Sequence, residues 1–271
     1  MSDIVDFHVH TSPSIVPRHH DDHEIGELLE AAGIGTYVLK AHEGTTAERA
    51  ALAGGGAIGS IVLNSPVGGA NPDAVEVAAQ LGARIVWMPT ISSETHKRNQ
   101  QSKQLSAHHG VEFRTVEVCR EERMLPQWVE VLDLVAARDL ILASGHLSVD
   151  ETVEVFRAAR ARGVQRLLVN HPLLDFLGWR DEHVDALVEL GAYVEVGVLA
   201  DLLDGDVEET ATARLAHDYP RSLLVFGSDL GHVHYPDVQP GIGDWLNQAE
   251  QALGGTTVEQ ITILNGKELL S

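Results

Sequence analysis

Fifteen histidines stand among the 271 residues of this chain, and several fall where a run of β-forming residues ends. His8 and His10 close the run IVDFHVH, residues 4 to 10. Side chains two apart on a strand share a face, so both imidazoles can offer a nitrogen to one metal ion. The same alternation predicts Asp6 before them on that face and Phe7 and Val9 turned outward. An isolated H-x-H pair is a weak signal, because most are incidental core or surface histidines. Three more ligand types end later runs, in Ser144-Gly145-His146, Asn170-His171-Pro172 and Gly227-Ser228-Asp229. Each alone has a bland reading, as a hydrogen-bonded core histidine or a helix-capping aspartate. Two histidines, then a histidine, a histidine and an aspartate at successive strand ends predict one shared metal site.

The elements that must position these residues follow from hydrophobic patterning. Eight runs rich in Val, Ile and Leu occur at 4–10, 35–42, 57–64, 83–90, 140–146, 166–172, 192–199 and 223–229. They alternate with amphipathic stretches such as HEIGELLEAAG and VDETVEVFRAARARG, several ending in Gly as a helix C-terminus should. Eight repeats at this length predict a single (β/α)8 barrel, with an open doubly wound sheet as the competing arrangement. No linker or composition shift divides the chain, so residues 1–271 read as one domain. The longest interval, at about 91–125, predicts an excursion over the barrel mouth with a short hairpin around VEFRTVEV; a solvated insertion is the alternative.

Further polar residues sit near the expected mouth. Lys40 and His42 share a face of the second run, and a lysine inside a barrel is costly unless paired, metal-linked or deprotonated. Its ordinary role would be an ion pair with Asp6 or Glu195. Glu195, mid-strand in YVEVG, faces inward and either supports a histidine or pairs with a base. Arg18, Lys97 and Arg98 are the loop cations placed to meet a substrate carboxylate, unless they pair with nearby acids. His19, His20 and His23, with Asp21 and Asp22, read as a cap and solvated loop. GGGAIG leads into a strand, so it builds no phosphate cradle, and the segment from Pro66 to Pro72 reads as a turn with Asn71 capping a helix. No G-x-S-x-G elbow occurs, and metal-activated water is the expected nucleophile.

Composition bounds the partners. The net charge of −21 repels phosphate backbones and anionic lipid, so neither nucleic acid nor a membrane surface is an expected partner. The lone Cys119 allows no intrachain disulfide, suits a reducing compartment and reads as a packed thiol. The opening MSDIVDFHVH lacks a signal peptide's basic and apolar regions, and no apolar run reaches membrane-spanning length, so a cytoplasmic protein is expected. A homo-oligomer is compatible with everything above.

The set of His8, His10, His146, His171 and Asp229 resembles the amidohydrolase superfamily of metal-dependent barrels across essentially the whole chain. The phrases VLKAH, VLNSPVGGANP, VWMPT and GSDLG look like a sparsely characterised branch of it. The resemblance implies that the four histidines and Asp229 are metal ligands and that Asp229 also shuttles the proton. It implies one or two divalent ions, Zn2+ first, with Mn2+ or Fe2+ admissible. Binuclear members commonly bridge their ions with a lysine carbamate or a glutamate from the third or fourth strand, where this chain has Asn64 and Thr90. Lys40 could supply that bridge from the second strand; a plain ammonium polarising the substrate is the alternative. The expected activity is metal-dependent hydrolysis of an amide, cyclic amide or lactone-type bond in a small, carboxylate-bearing molecule, with Arg18, His42 and Lys97 binding substrate. A single-metal, non-oxidative decarboxylase is the first rival, and a barrel that binds without turnover the second.

Overall fold

The computed structural model describes residues 3–204 and 209–271. Its strands are β1 (Ile4–Val9), β2 (Ile34–Leu39), β3 (Ala57–Val62), β4 (Ala83–Trp87), β5 (Cys119–Arg120), β6 (Arg123–Met124), β7 (Ile141–Ala143), β8 (Arg166–Val169), β9 (Tyr193–Val196) and β10 (Leu224–Phe226). The helices are α1 (Asp22–Ala31), α2 (Ala47–Ala53), α3 (Pro72–Gln80), α4 (Glu94–Arg98), α5 (Val129–Ala137), α6 (Val149–Ala161), α7 (Glu182–Glu189), α8 (Val198–Leu203), α9 (Ala211–Asp218), α10 (Val238–Leu253), α11 (Gly255–Glu259) and α12 (Asn265–Leu270). Eight strands pair in the order β1-β2-β3-β4-β7-β8-β9-β10, and every pairing along that order is parallel. The sheet returns on itself where Asp229 donates its N–H to the His8 carbonyl at 2.8 Å and His10 to the Leu230 carbonyl at 2.9 Å. That closure makes a (β/α)8 barrel and excludes the open sheet. No helix among the described residues is long and apolar enough to cross a membrane.

Two apolar clusters follow from strand alternation. One fills the barrel with Val38, Val62, Ile85, Trp87, Ile141, Ala143, Leu168 and Val225. The other lies between strands and helices and takes alternate residues such as Leu39, Val86, Leu142, Leu167 and Phe226. Leu269 of α12 joins the inner cluster, and the Leu270 carbonyl accepts from the Arg84 side chain at 2.8 Å, which anchors the C-terminal helix to the barrel. Packing and polar closure at that end leave the opposite end, where the strands finish, free for chemistry.

Two local expectations are corrected. Phe7 is inside the barrel with Val5, not outward, because β1 slips register between Asp6 and Val9. This bulge places one extra residue against β2, so the strict alternation breaks. Asp6 consequently parts from the two histidines. Its Oδ1 accepts from the backbone N–H groups of Ser228 and His8, both at 2.9 Å, and braces the seam between β1 and β10. The hairpin also lies downstream of residues 111–118: β5 and β6 pair Cys119 with Met124 and Arg120 with Arg123. Its turn residues, Glu121 and Glu122, have φ of 50° and 61°, a conformation usually given to Asn or Gly. The caps fall as expected, with Asp21 and Glu24 forming a capping box on α1 and Asn71 capping α3.

Candidate metal centre

His8 and His10 reach the same space: the slip between Asp6 and Val9 turns His8 inward after Phe7, and His10, two residues on, shares its face. His10 Nδ1 lies 2.9 Å from the Lys40 carbonyl. A carbonyl only accepts, so Nδ1 carries the proton and Nε2 is a bare lone pair. That lone pair faces Asp229 Oδ1 at 3.1 Å, and His8 Nε2 lies 3.0 Å from the same oxygen. Two acceptors confronting each other need a positive charge between them. On its other side His8 Nδ1 lies 3.0 and 3.1 Å from the two Glu195 oxygens. A donor proton on Nδ1 suits that carboxylate and leaves Nε2 as a lone pair, which faces Asp229 and the Lys40 Nζ. His8, His10 and Asp229 are the one group among the described residues whose three ligand atoms lie within 4.8 Å of one another.

Two imidazoles and a carboxylate form a donor set suited to a divalent transition-metal ion, so these residues fit one. Burial drives His8 down to about 3, with Asp229 opposing and Lys40 and Arg18 reinforcing, and drives His10 well below its ordinary value. Both rings are therefore neutral at pH 7, the form a ligand requires. Asp229 holds a φ of 53° and His171 one of 33°, positive values that are rare for such residues. Both positions follow strand ends, β8 and β10, at the mouth of the barrel.

Lys40 makes neither ion pair expected of it. Its Nζ is 2.9 Å from His8 Nε2 and 4.4 Å from the Trp87 ring centroid, and no carboxylate among the described residues lies within ion-pair distance. Desolvation lowers its amine to about 8, against the attraction of Asp229 and Glu195. Glu195 serves His8 instead and also accepts the His171 backbone N–H.

Above the three ligands is a cavity of about 30 Å3, bordered by His10, Arg18, Lys40, His42, His146, His171 and Asp229 and roofed by Gln104, Leu105, Ala107 and His108. Arg18 has its Nε and Nη2 buried without a hydrogen-bond partner among the described residues. His42 is fixed at Nδ1 by Thr90 Oγ1 at 2.9 Å, and Asn64 ties Thr90 and the His42 carbonyl together at 2.7 and 2.8 Å. Asn64 and Thr90, which offer no bridging ligand, thus orient a histidine. His171 Nε2 accepts from Asn170 at 2.9 Å, leaving its Nδ1 proton unpartnered among the described residues. His146 and His171 border the cavity without converging on the three-atom cluster.

Lys97 is not in this cavity. Ser93 caps α4 and donates to the His146 carbonyl at 2.7 Å, an arrangement that buries His96; the next residue, Lys97, pairs with Glu112 at 3.4 Å beside a separate depression. Arg98 is exposed and pairs with Glu94. His96, His108, His232 and Tyr235 were not singled out from sequence. His232 and Tyr235, in GHVHY three and six residues after Asp229, could have been found by their proximity to it; His96 and His108 lie in a segment without regular periodicity.

A model of the family of unknown function DUF6282 matches residues 3–195. No curated protein matches the chain in sequence. Solved structures share the fold over its whole length. A Pseudomonas putida protein described as a 2-pyrone-4,6-dicarboxylic acid hydrolase is 16% identical, with 100% of this chain and 98% of that one covered at a TM-score of 0.63. A 2,6-dihydroxybenzoate decarboxylase complexed with 2,6-dihydroxybenzoate is 15% identical over 100% and 99%, at 0.56. An amidohydrolase from Burkholderia multivorans with bound Zn is 10% identical over 98% of each chain, at 0.53. The likeness to the amidohydrolase superfamily thus extends through the complete barrel as a likeness of fold. With the family model spanning most of its length, this chain belongs to the DUF6282 family of unknown function and carries the fold of the amidohydrolase superfamily.

Proposed function

We propose that this protein is a metal-dependent hydrolase that opens an amide, cyclic amide or lactone-type bond in a small molecule bearing a carboxylate. The observation that carries the reading is the confrontation of His8 Nε2, His10 Nε2 and Asp229 Oδ1 beneath a cavity bordered by Arg18, whose buried Nε and Nη2 have no hydrogen-bond partner among the described residues. His8, His10 and Asp229 would hold the ion, Zn2+ before Mn2+ or Fe2+. When bound there, it supplies a lowered pKa for water and polarisation of a carbonyl. Asp229 takes a proton from the attacking water as the new carbon–oxygen bond forms, and returns it to the leaving nitrogen or oxygen as the scissile bond breaks. His171 Nδ1–H offers a hydrogen bond to the developing oxyanion. Lys40, lowered to about 8 and so still largely an ammonium at pH 7, adds positive charge to the same region beside His8. Arg18 takes the substrate carboxylate with its free N–H groups, and His42 lines the binding wall.

A cavity of about 30 Å3 holds a water and no substrate. The roof formed by Gln104, Leu105, Ala107 and His108 must therefore swing aside for entry, which gives the excursion at 91–125 the role of a lid. The second reading is decarboxylation, favoured by the same Arg18 and by the fold shared with a dihydroxybenzoate decarboxylase. The test is to restore the native metal and screen cyclic amides, lactones and aromatic carboxylates. Release of a new titratable carboxyl supports hydrolysis, release of carbon dioxide replaces it with the lyase, and no turnover across the panel counts against both.

A further inference from the structure

Three more imidazoles, His42, His108 and His146, border the cavity and a fourth, His96, packs against the last two; none belongs to the three-atom cluster. His42 follows β2, His146 follows β7, His96 lies on α4 and His108 in the roof. The ring centroids of His96 and His146 are 5.0 Å apart, those of His96 and His108 5.3 Å, and those of His108 and His146 5.9 Å. His42 adds separations of 4.6 Å to His108 and 6.0 Å to His146. Three imidazoles bound to one tetrahedral ion through bonds of roughly 2 Å hold their centroids about 5 Å apart. His8 and His10, across the first centre, stand at 5.1 Å.

The rings are close, but their nitrogens do not yet converge on one point. His96 and His146 point their Nδ1 atoms at each other at 2.8 Å, while His42 Nε2 and His108 Nδ1 are buried without a hydrogen-bond partner among the described residues. An unmet buried nitrogen is costly, and a packed apolar core would avoid it. Burial keeps all four rings neutral, reinforced by mutual repulsion for His42, His108 and His146 and by Lys97 for His96. No carboxylate among the described residues forms an ion pair with any of them. Neutral imidazoles in a group without carboxylates suit a borderline ion such as Zn2+, Co2+ or Cu2+ rather than Mg2+ or Ca2+.

We propose that His96, His108 and His146, with His42 as fourth ligand, form a second transition-metal site separate from the His8, His10 and Asp229 centre. Loading it requires the rings of His108 and His42 to turn, since their nitrogens do not yet lie within ligand spacing of the His96 and His146 pair. Two ligands come from strand ends and two from the excursion, so the ion staples the roof over the cavity. The proposal does not rest on the hydrolase reading, although the two share His42 and the roof: the ion holds closed the segment that must swing aside for substrate entry.

The test is metal counting on chelator-stripped full-length protein reloaded with Zn2+, and with Cu2+ for electron paramagnetic resonance. The wild type binds two ions per chain. H96F/H108F binds one and keeps the wild-type circular dichroism, and the milder H96N covers the case in which the double variant fails to fold. H8A/H10A retains one ion, whose Cu2+ spectrum shows imidazole nitrogens. Loading the wild type, but not H96N, slows proteolysis within 96–112. One ion per wild-type chain overturns the proposal, as do two ions in both H96F/H108F and H96N. Loss of the second ion in Lys40→Met, with H96F/H108F keeping both, overturns it in favour of a lysine bridge.

Discussion

Replacing Glu195 separates the ion from the fold. Both carboxylate oxygens lie at 3.0–3.1 Å from His8 Nδ1, and the same group takes the His171 backbone N–H, so Glu195 sets the tautomer and aim of one ligand. Glu195→Leu removes that support. Loss of such an outer partner lowers metal affinity by about 10–100-fold, equivalent to roughly 1.4–2.7 kcal/mol. Folding responds differently. The variant leaves His8 Nδ1 and the His171 N–H without an acceptor, at about 1–3 kcal/mol each, but it also removes a buried carboxylate that burial itself disfavours. The two effects partly offset, so the metal-free melting temperature moves by only a few degrees, at about 2–4 °C per kcal/mol. Glu195→Gln keeps an oxygen to accept from Nδ1–H and loses the charge, so its affinity falls near the tenfold end. Zn2+ competition against a chelating dye, with thermal melts of the stripped proteins, measures both quantities. Binding by the Leu variant within about threefold of wild type would refute the reasoning.

Asp229→Asn retains the ion through its amide oxygen yet loses turnover by at least about 100-fold, read as steady-state rate at saturating metal. Arg18→Leu raises KM for carboxylate-bearing substrates by about tenfold or more while sparing their neutral esters, and an equal effect on both removes Arg18 from recognition. In the stripped protein the buried mouth histidines have folded pKa values below 6.5, several at about 3 to 4, so the unfolded chain binds more protons below that pH. Their stabilisation is complete above pH 6.5 and lost as pH falls towards 3, by up to about 1.4 kcal/mol per pH unit per group. Asp6, raised to about 7 by desolvation, and Glu195 act with the opposite sign, favouring the folded state as pH falls. The histidines outnumber them, so the melting temperature drops between pH 6.5 and 4.5, and a flat profile contradicts the count.

The barrel was legible because each strand is a local apolar run, and its ligands because they end those runs. What the sequence did not disclose depended on pairing. The slip in β1 that buries Phe7 and detaches Asp6 exists only against β2 and β10, and nothing in IVDFHVH marks it. Within the excursion, His96 and Lys97 are adjacent and equally polar; only the capped turn of α4 decides which is buried. His108 and the true hairpin stayed hidden for a related reason, since neither carries the periodicity or the Asn-Gly turn that a sequence displays. Lys40 was recognised as a costly inward lysine, but its partner proved to be His8 and the Trp87 face.

The central claim is that His8, His10 and Asp229 hold a divalent ion, and the most direct test is elemental analysis of freshly purified wild type beside His8→Ala and His10→Ala. The account predicts that each substitution removes the ion of that centre while the far-ultraviolet circular dichroism stays that of the folded barrel, because the site lies at the strand ends, outside the apolar core. Full wild-type metal content in both variants would contradict it.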